Sequence, residues 1–467
     1  MSGESNSRGD HTTESSVHHV VHIDQSFLSE VEGSMQELPR LLTTGAGRDS
    51  CCIFRVPQSL SEINKKAYHP YIVSIGPFHH GKTQLQMIQE HKWRYLRHLL
   101  LRTESKRVVL KDFFEAVAPM EEEIRKSYSE TLEFDGRDLI RMMVLDGCFV
   151  IELFWKVARM VLPDPRDPLL TIASIVPADP HDPLFTMAWV LPALMRDLLR
   201  LENQIPYFVL QKLFDLSVGS GNDGPSLAKL ALWFFNCLVQ RPVHVLENCY
   251  DKEGKHLLDL FHLSYIPDCQ EKQRRPSRSL HLIRSAKELN QAGVKFKPRK
   301  THSILDVKFR NGVLEIPLLT IDDFWSSLFL NFVAFEQCYC LSSKHFTTYA
   351  NLMGCLIKTP ADAGFLGYHK IIENYIGTDE EVALFFNNVR KDVAFDVKRS
   401  YLSKVFEEVN ESCRNYWHVQ WAEFMHTYFN TPWSFMSAAA ALLLLLLTMT
   451  QTSYAVYQSY RPADPPK

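Results

Sequence analysis

The sequence predicts a mainly α-helical protein: a single helical domain with a small β-hairpin, followed by one C-terminal transmembrane helix. Three observations carry this expectation. From Gln84 onward apolar residues recur every three to four positions, the period of a helix with one buried face. A single stretch, near residue 310, alternates as a strand does. Finally, residues 427–460 hold no Asp, Glu, Lys, Arg or His, and four alanines from Ala438 run into six leucines from Leu442.

Residues 1–49 are rich in Ser, Thr, Gly and His and read as a flexible lead, with a hint of helix only at 20–35. Residues 50–430 then form the helical domain. Leu85, Ile88, Tyr95, Leu96 and Leu99 mark its first helix. A longer one follows Asp138, with an apolar stripe of Leu139, Met142, Met143, Phe149, Val150, Leu153, Phe154 and Val157. Asp146 falls within that stripe, where a carboxylate must find hydrogen bonds or a cation, so it is expected to tie helices together. Residues 162–183 break the period with two related runs, Asp164-Pro165-Arg166-Asp167-Pro168 and Asp179-Pro180-His181-Asp182-Pro183, and read as a loop. Helix resumes with Leu194, Leu198 and Leu201, is expected to end near Glu202, Asn203 and Gln204, and restarts at Pro206. Residues 268–300 carry ten Lys or Arg side chains and read as a second, solvated loop. Leu305, Val307 and Phe309 then alternate, Asn311-Gly312 supplies a tight turn, and residues 313–316 return as the second arm of a hairpin. Thr378 and Glu381 form a capping box ahead of Val382, Phe385, Phe386 and Val389.

The expected transmembrane helix covers residues 433–457, enough to cross a hydrocarbon core about 30 Å thick. Its six leucines favour insertion by on the order of 3 kcal/mol, partly offset by Thr448, Thr450, Gln451 and Thr452. Pro432 suits the first turn, Trp433, Tyr454 and Tyr457 suit the two interfaces, and a short tail, 461–467, follows. Residues 1–49 lack the profile of a secretory signal. The expectation is therefore a single-pass protein held by its C-terminal helix in the plasma membrane or an endomembrane, with the main domain in the cytosol. Flanking charge, Arg414 before the span against Arg461 and Lys467 after it, weakly favours the reverse orientation, which glycosylation at Asn410-Glu411-Ser412 would demonstrate.

Composition narrows the function. A net charge of -3 is too near neutral for a nucleic-acid partner. Ten cysteines without a CxxC pair read as reduced core residues, not a disulfide framework or a zinc site. His18 and His22 lie one helical turn apart, but solvated tail histidines are the simpler reading, so no metal is expected. The sequence shows no nucleophile elbow, zinc-protease helix, calcium loop or dinucleotide fingerprint. No catalytic residue, cofactor or enzymatic activity is expected.

One motif competes with that reading. Gly76-Pro77-Phe78-His79-His80-Gly81-Lys82-Thr83 matches the pattern of a phosphate-binding loop, after a plausible strand at 71–75 and before a helix. In such a loop Gly76 and Gly81 would free the backbone to wrap phosphates, Lys82 would reach them, and Thr83 would hold magnesium. Pro77 removes a donor, however, and Phe78, His79 and His80 are bulky where such loops are small. A flanking parallel sheet is also missing from the pattern.

Several stretches together resemble the plant family called domain of unknown function 247. They are residues 53–57 (IFRVP), 71–81 (YIVSIGPFHHG), 90–96 (EHKWRYL), 143–153 (MVLDGCFVIEL), 197–206 (DLLRLENQIP), 311–322 (NGVLEIPLLTID), 334–338 (AFEQC) and 430–433 (NTPW). The resemblance implies one helical domain ending in a single membrane span. It makes the GPFHHG segment part of a fold signature, and it carries over no catalytic residues. Asp146, Trp93, Glu202, Asn203 and Gln204 are accordingly expected to be structural. Grass members of the family are implicated as pollen-side determinants of self-incompatibility. The expected function is a non-catalytic, membrane-anchored recognition or signalling protein that binds lipid through its C-terminal helix and an unknown protein or peptide through its loops. The alternatives are a nucleotide-dependent switch built on Lys82 and a membrane scaffold.

Overall fold

The computed structural model describes residues 24–36, 50–62, 64–161, 182–218, 224–267, 282–391, 393–414 and 432–460. Helix α1 (Gln25–Gln36) presents Phe27, Leu28, Val31 and Met35 to solvent. The first half of the body contains α2 (Gln89–Thr103), α3 (Leu110–Val117), α4 (Gly136–Val161), α5 (Val190–Asp197), α6 (Tyr207–Val218), α7 (Leu227–Val239) and α8 (Leu257–Leu263). The stripe expected on α4 is buried, and so are Val144, Leu145, Cys148 and Ile151 on its other sides. A helix apolar all round belongs at the centre of a bundle, and α4 is surrounded by α2, α3, α6 and α7.

The second half opens with α9 (Ala286–Gln291) and three strands, β1 (Lys295–Arg299), β2 (Lys308–Arg310) and β3 (Val313–Pro317). The expected hairpin is β2–β3, and Asn311 and Gly312 at its tip take the positive φ values, 51° and 74°, of a type I′ turn. The sheet has a third member: β1 runs parallel to β3, with Phe296 beside Leu314 in the interior. A separate parallel pair, β4 (Leu319–Ile321) and β5 (Ile372–Asn374), follows. Helices α10 (Asp323–Cys338), α11 (His345–Leu356), α12 (Pro360–Tyr368), α13 (Asp379–Val389) and α14 (Ser403–Arg414) complete the body. One contiguous set of buried apolar side chains extends from Cys51 to Val409, and α8 packing on α10 joins the halves.

Three expectations need correction. Residues 71–75 are not a strand, for reasons given below. Helix α5 stops at Asp197, before Glu202, because residues 200–204 form a tight turn whose side chains bond inward. Residues 282–300 are not a loop: Ser285 and Glu288 make a capping box for α9, and the alternation of Lys295, Phe296 and Lys297 is that of an edge strand. Within residues 1–49, helix α1 is described. His18, His22, most of the loop expected at 162–183, the first part of that at 268–300 and the tail 461–467 lie outside the described residues.

Helix α15 (Pro432–Tyr460) contains the apolar window Ala439–Tyr457, 19 residues long and wholly exposed. Proline at its first position needs no backbone partner there. The hydroxyls of Thr448, Thr450 and Thr452 donate to carbonyls of Leu444, Leu446 and Thr448 within the same helix, which lowers the cost of placing them in an apolar solvent. Length and composition suit a single-pass span.

Candidate functional site

Residues 71–76 run as coil through the middle of the first half, where backbone N–H groups cannot reach water and must find acceptors. Buried carboxylates and one amide supply them. Asp197, at the end of α5, accepts from the N–H groups of Tyr71, Ile72 and Val73 at 2.8–3.1 Å. Asn203 accepts from Ile75 N–H at 2.7 Å and donates to the carbonyls of Val73 and Asp197. Asp146 accepts from Gly76 N–H at 2.8 Å with one oxygen and pairs with Lys92 Nζ at 2.5 Å with the other. Lys92 also donates to Ser74 C=O. Arg200, 1% exposed, bonds Asp197 at 3.1 Å and Lys66 C=O at 2.6 Å. Burial raises the Asp197 carboxyl above its ordinary range, and Arg200 with the three N–H groups offsets only part of that.

Gly76 sits at a pinch point. Its φ is +74°, and a Cβ there would lie 2.4 Å from Gln204 C=O. Gln204 in turn donates to the carbonyls of Leu198 and Arg200, and its own carbonyl receives the Tyr128 hydroxyl at 3.0 Å. Asp146, Asn203 and Gln204 are thus buried ties. Trp93, by contrast, is 51% exposed. With His80, Phe134 and Arg141 it lines an open cavity of about 240 Å³ that reaches Asp146.

A second cluster sits on the same signature segment. Glu202 accepts from Val56 N–H at 2.9 Å and Arg55 Nη1 at 3.1 Å. Arg55 also bonds Glu130 and Phe78 C=O, with its guanidinium 4.3 Å from the centre of the Phe78 ring. His79 is fully buried. Its Nε2 lies 3.2 Å from Glu202 Oε2, close enough for charge stabilisation but off the line of a full hydrogen bond. Its Nδ1 lies 2.7 Å from Lys82 Nζ. Burial raises the Glu202 carboxyl, but contacts from His79, Val56 and Arg55 outweigh it and hold the group below its ordinary range. Burial likewise depresses His79 and Lys82, with Arg55 adding to both shifts and Glu202 opposing them.

This is not the geometry of a phosphate-binding loop. The N–H groups before Gly76 already serve side chains of the protein, Lys82 turns to His79, and Thr83 opens a 3₁₀ helix (Thr83–Ile88) with its side chain at the surface. Gly81 has φ +78° and open space around it. Among the described residues every strand lies at 295–374, so no sheet flanks the segment.

Two further clusters lay beyond sequence reasoning. Asp182, fully buried, receives Lys156 Nζ at 2.9 Å, Tyr95 hydroxyl at 3.0 Å and the Arg94 guanidinium. Glu336 on α10 accepts from Phe346 and Thr347 N–H at the start of α11 and contacts His262 Nε2 at 2.7 Å.

Asp146, Lys92, Asp197, Asn203, Glu202 and Arg55 come from the stretches quoted for the resemblance, and comparison decides the point. The family described as "Plant protein of unknown function", DUF247, matches residues 53–447. The chain belongs to the DUF247 family. UPF0481 protein At3g47200 of Arabidopsis thaliana is 41% identical over 442 residues, covering 90% of this chain and 89% of that protein. A second UPF0481 protein of the same plant, At3g02645, is 22% identical over 508 residues, covering 87% and 90%. No solved structure matches. In this DUF247 chain the signature motifs therefore bind one another: 53–57 and 71–81 to 197–206, and 71–81 to 90–96 and 143–153.

Proposed function

We propose that this DUF247 protein is a membrane-anchored recognition or signalling component without catalysis of its own. Helix α15 would hold the helical body at a bilayer, and segments around 162–183 and 268–281 would meet a protein or peptide partner. The observation that carries the reading is Asp182. It ties the far end of the first segment into the core through Lys156, Tyr95 and Arg94, the firm footing that a partner-binding segment would need. The non-catalytic part is supported by the use of the buried carboxylates: Asp146, Asp197 and Glu336 each have internal donors.

Exchanging residues 162–181 and 268–281 with those of a relative should transfer partner choice, read by proximity labelling of the anchored protein in its native cells. Unchanged partners would leave a scaffold role instead. Retention on vesicles after high-pH washing, lost on removal of residues 432–467, tests the anchor. A pollen self-incompatibility role is the specific form of this proposal, and controlled crosses with loop-exchanged pollen test it. Unaltered compatibility would reject that form.

A further inference from the structure

Lys82, set aside as a phosphate ligand, stands in a different chemical arrangement. Its side chain is exposed, while the group it touches is not: His79 Nδ1, at 2.7 Å, belongs to a fully buried ring whose opposite nitrogen faces Glu202 at 3.2 Å. An amine, a base within hydrogen-bond reach and a carboxylate behind the base are the parts of an activated nucleophile. The other groups facing the site are Arg55 and His69. Arg55 is held by Glu130, Glu202 and Phe78 C=O, and the His69 ring lies 5.6 Å from that of His79.

We propose that Lys82 is an acyl-acceptor site, which takes an acyl group from an acyl thioester onto its side-chain nitrogen with His79 as the proton-transfer partner. The free-amine form of Lys82 attacks the thioester carbonyl carbon, and a C–N bond forms as the carbonyl π pair moves to oxygen. The nitrogen, now bonded to carbon and positively charged, is far more acidic than an ordinary ammonium. His79 Nδ1 takes its proton, and Glu202 stabilises the imidazolium. Collapse of the adduct breaks the C–S bond, and the departing thiolate receives the proton from His79. The products are an amide on Lys82 and a free thiol. The event is a modification, one acyl group per chain, and it is independent of the membrane and loop readings above. The depressed Lys82 ammonium raises the fraction of free amine available to react.

The test uses full-length protein in mild detergent with the simple thioester S-acetyl-N-acetylcysteamine. Peptide mass spectrometry follows acetylation of each lysine at pH 7.5. Lys82 should react about tenfold faster than Lys111 and Lys404, whose side chains are 76% and 78% exposed. His79→Gln should bring Lys82 down to the rate of those two while leaving theirs unchanged. Equal rates for Lys82 and Lys111 in the unaltered protein overturn the proposal whether or not the variant folds. A fast Lys82 that is indifferent to His79→Gln in a folded variant overturns it equally.

Discussion

Replacing Lys92 by methionine deletes the cation of a pair whose side chains are 1% and 2% exposed. Methionine matches the aliphatic stem, so packing on α2 is largely kept and the change isolates charge. Asp146 retains Gly76 N–H as a donor but loses the group that compensates its charge. Ser74 C=O loses a donor as well. Breaking a buried pair by removing one partner costs about 3–5 kcal/mol, roughly a fifth or more of the stability of a typical domain, about 5–15 kcal/mol. Adding Asp146→Asn should recover part of that loss, since the amide oxygen still accepts from Gly76 and no charge remains to be compensated. The order of stability should thus be wild type, then the double variant, then Lys92→Met. Thermal or urea unfolding of the full-length protein in mild detergent, followed by tryptophan fluorescence, ranks the three. A Lys92→Met variant as stable as wild type, or a double variant less stable than it, would refute the reasoning.

Gly76→Ala should destabilise by about 1–3 kcal/mol from the left-handed backbone alone, and further through the clash with Gln204 C=O; the same unfolding experiment reads it. His256 is held neutral, its Nδ1 accepting from Asp259 N–H and its Nε2 facing Cys52 C=O, and burial pushes its pKa down to about 4 from 6.5. Its contribution is complete above pH 6.5. It is lost as pH falls towards 4, because the unfolded chain takes up a proton that the folded one refuses. The loss is about 3 kcal/mol, and His256→Gln should flatten that part of the stability profile, whereas an unchanged slope would count against it. Asp182→Ala leaves Lys156 and Arg94 without their anion and should cost on the order of 3 kcal/mol. Limited proteolysis between residues 162 and 181 should accelerate in parallel, and resistance equal to wild type would show that the tie is dispensable.

Local signals in the sequence were reliable where local physics decides. The α4 stripe, the Asn311-Gly312 turn and the capping box at Thr378 and Glu381 all form as their residues dictate. The failures share a cause. Residues 71–75 have the composition of a strand, yet the N–H groups of Tyr71, Ile72, Val73 and Ile75 are satisfied by side chains 124 to 128 positions away. No periodicity announces such partners. Asp146 was legible because a carboxylate inside an apolar stripe demands a counterpart. The sequence did not say that the counterpart was Lys92, which lies 54 positions away on another helix. Strand β1 was hidden by its lysines, which occupy the exposed positions around Phe296.

The placement of Asp182 bears on how such a protein can diversify. Twenty positions separate it from Val161, where α4 ends, and Lys156 on that helix holds Asp182 directly. Lengthening a chain between two fixed points is cheap, about 0.6 kcal/mol for each doubling. Changes of length between these two points are therefore expected to cost the fold little, so this stretch can drift from one gene copy to the next while Asp182 keeps its anchorage.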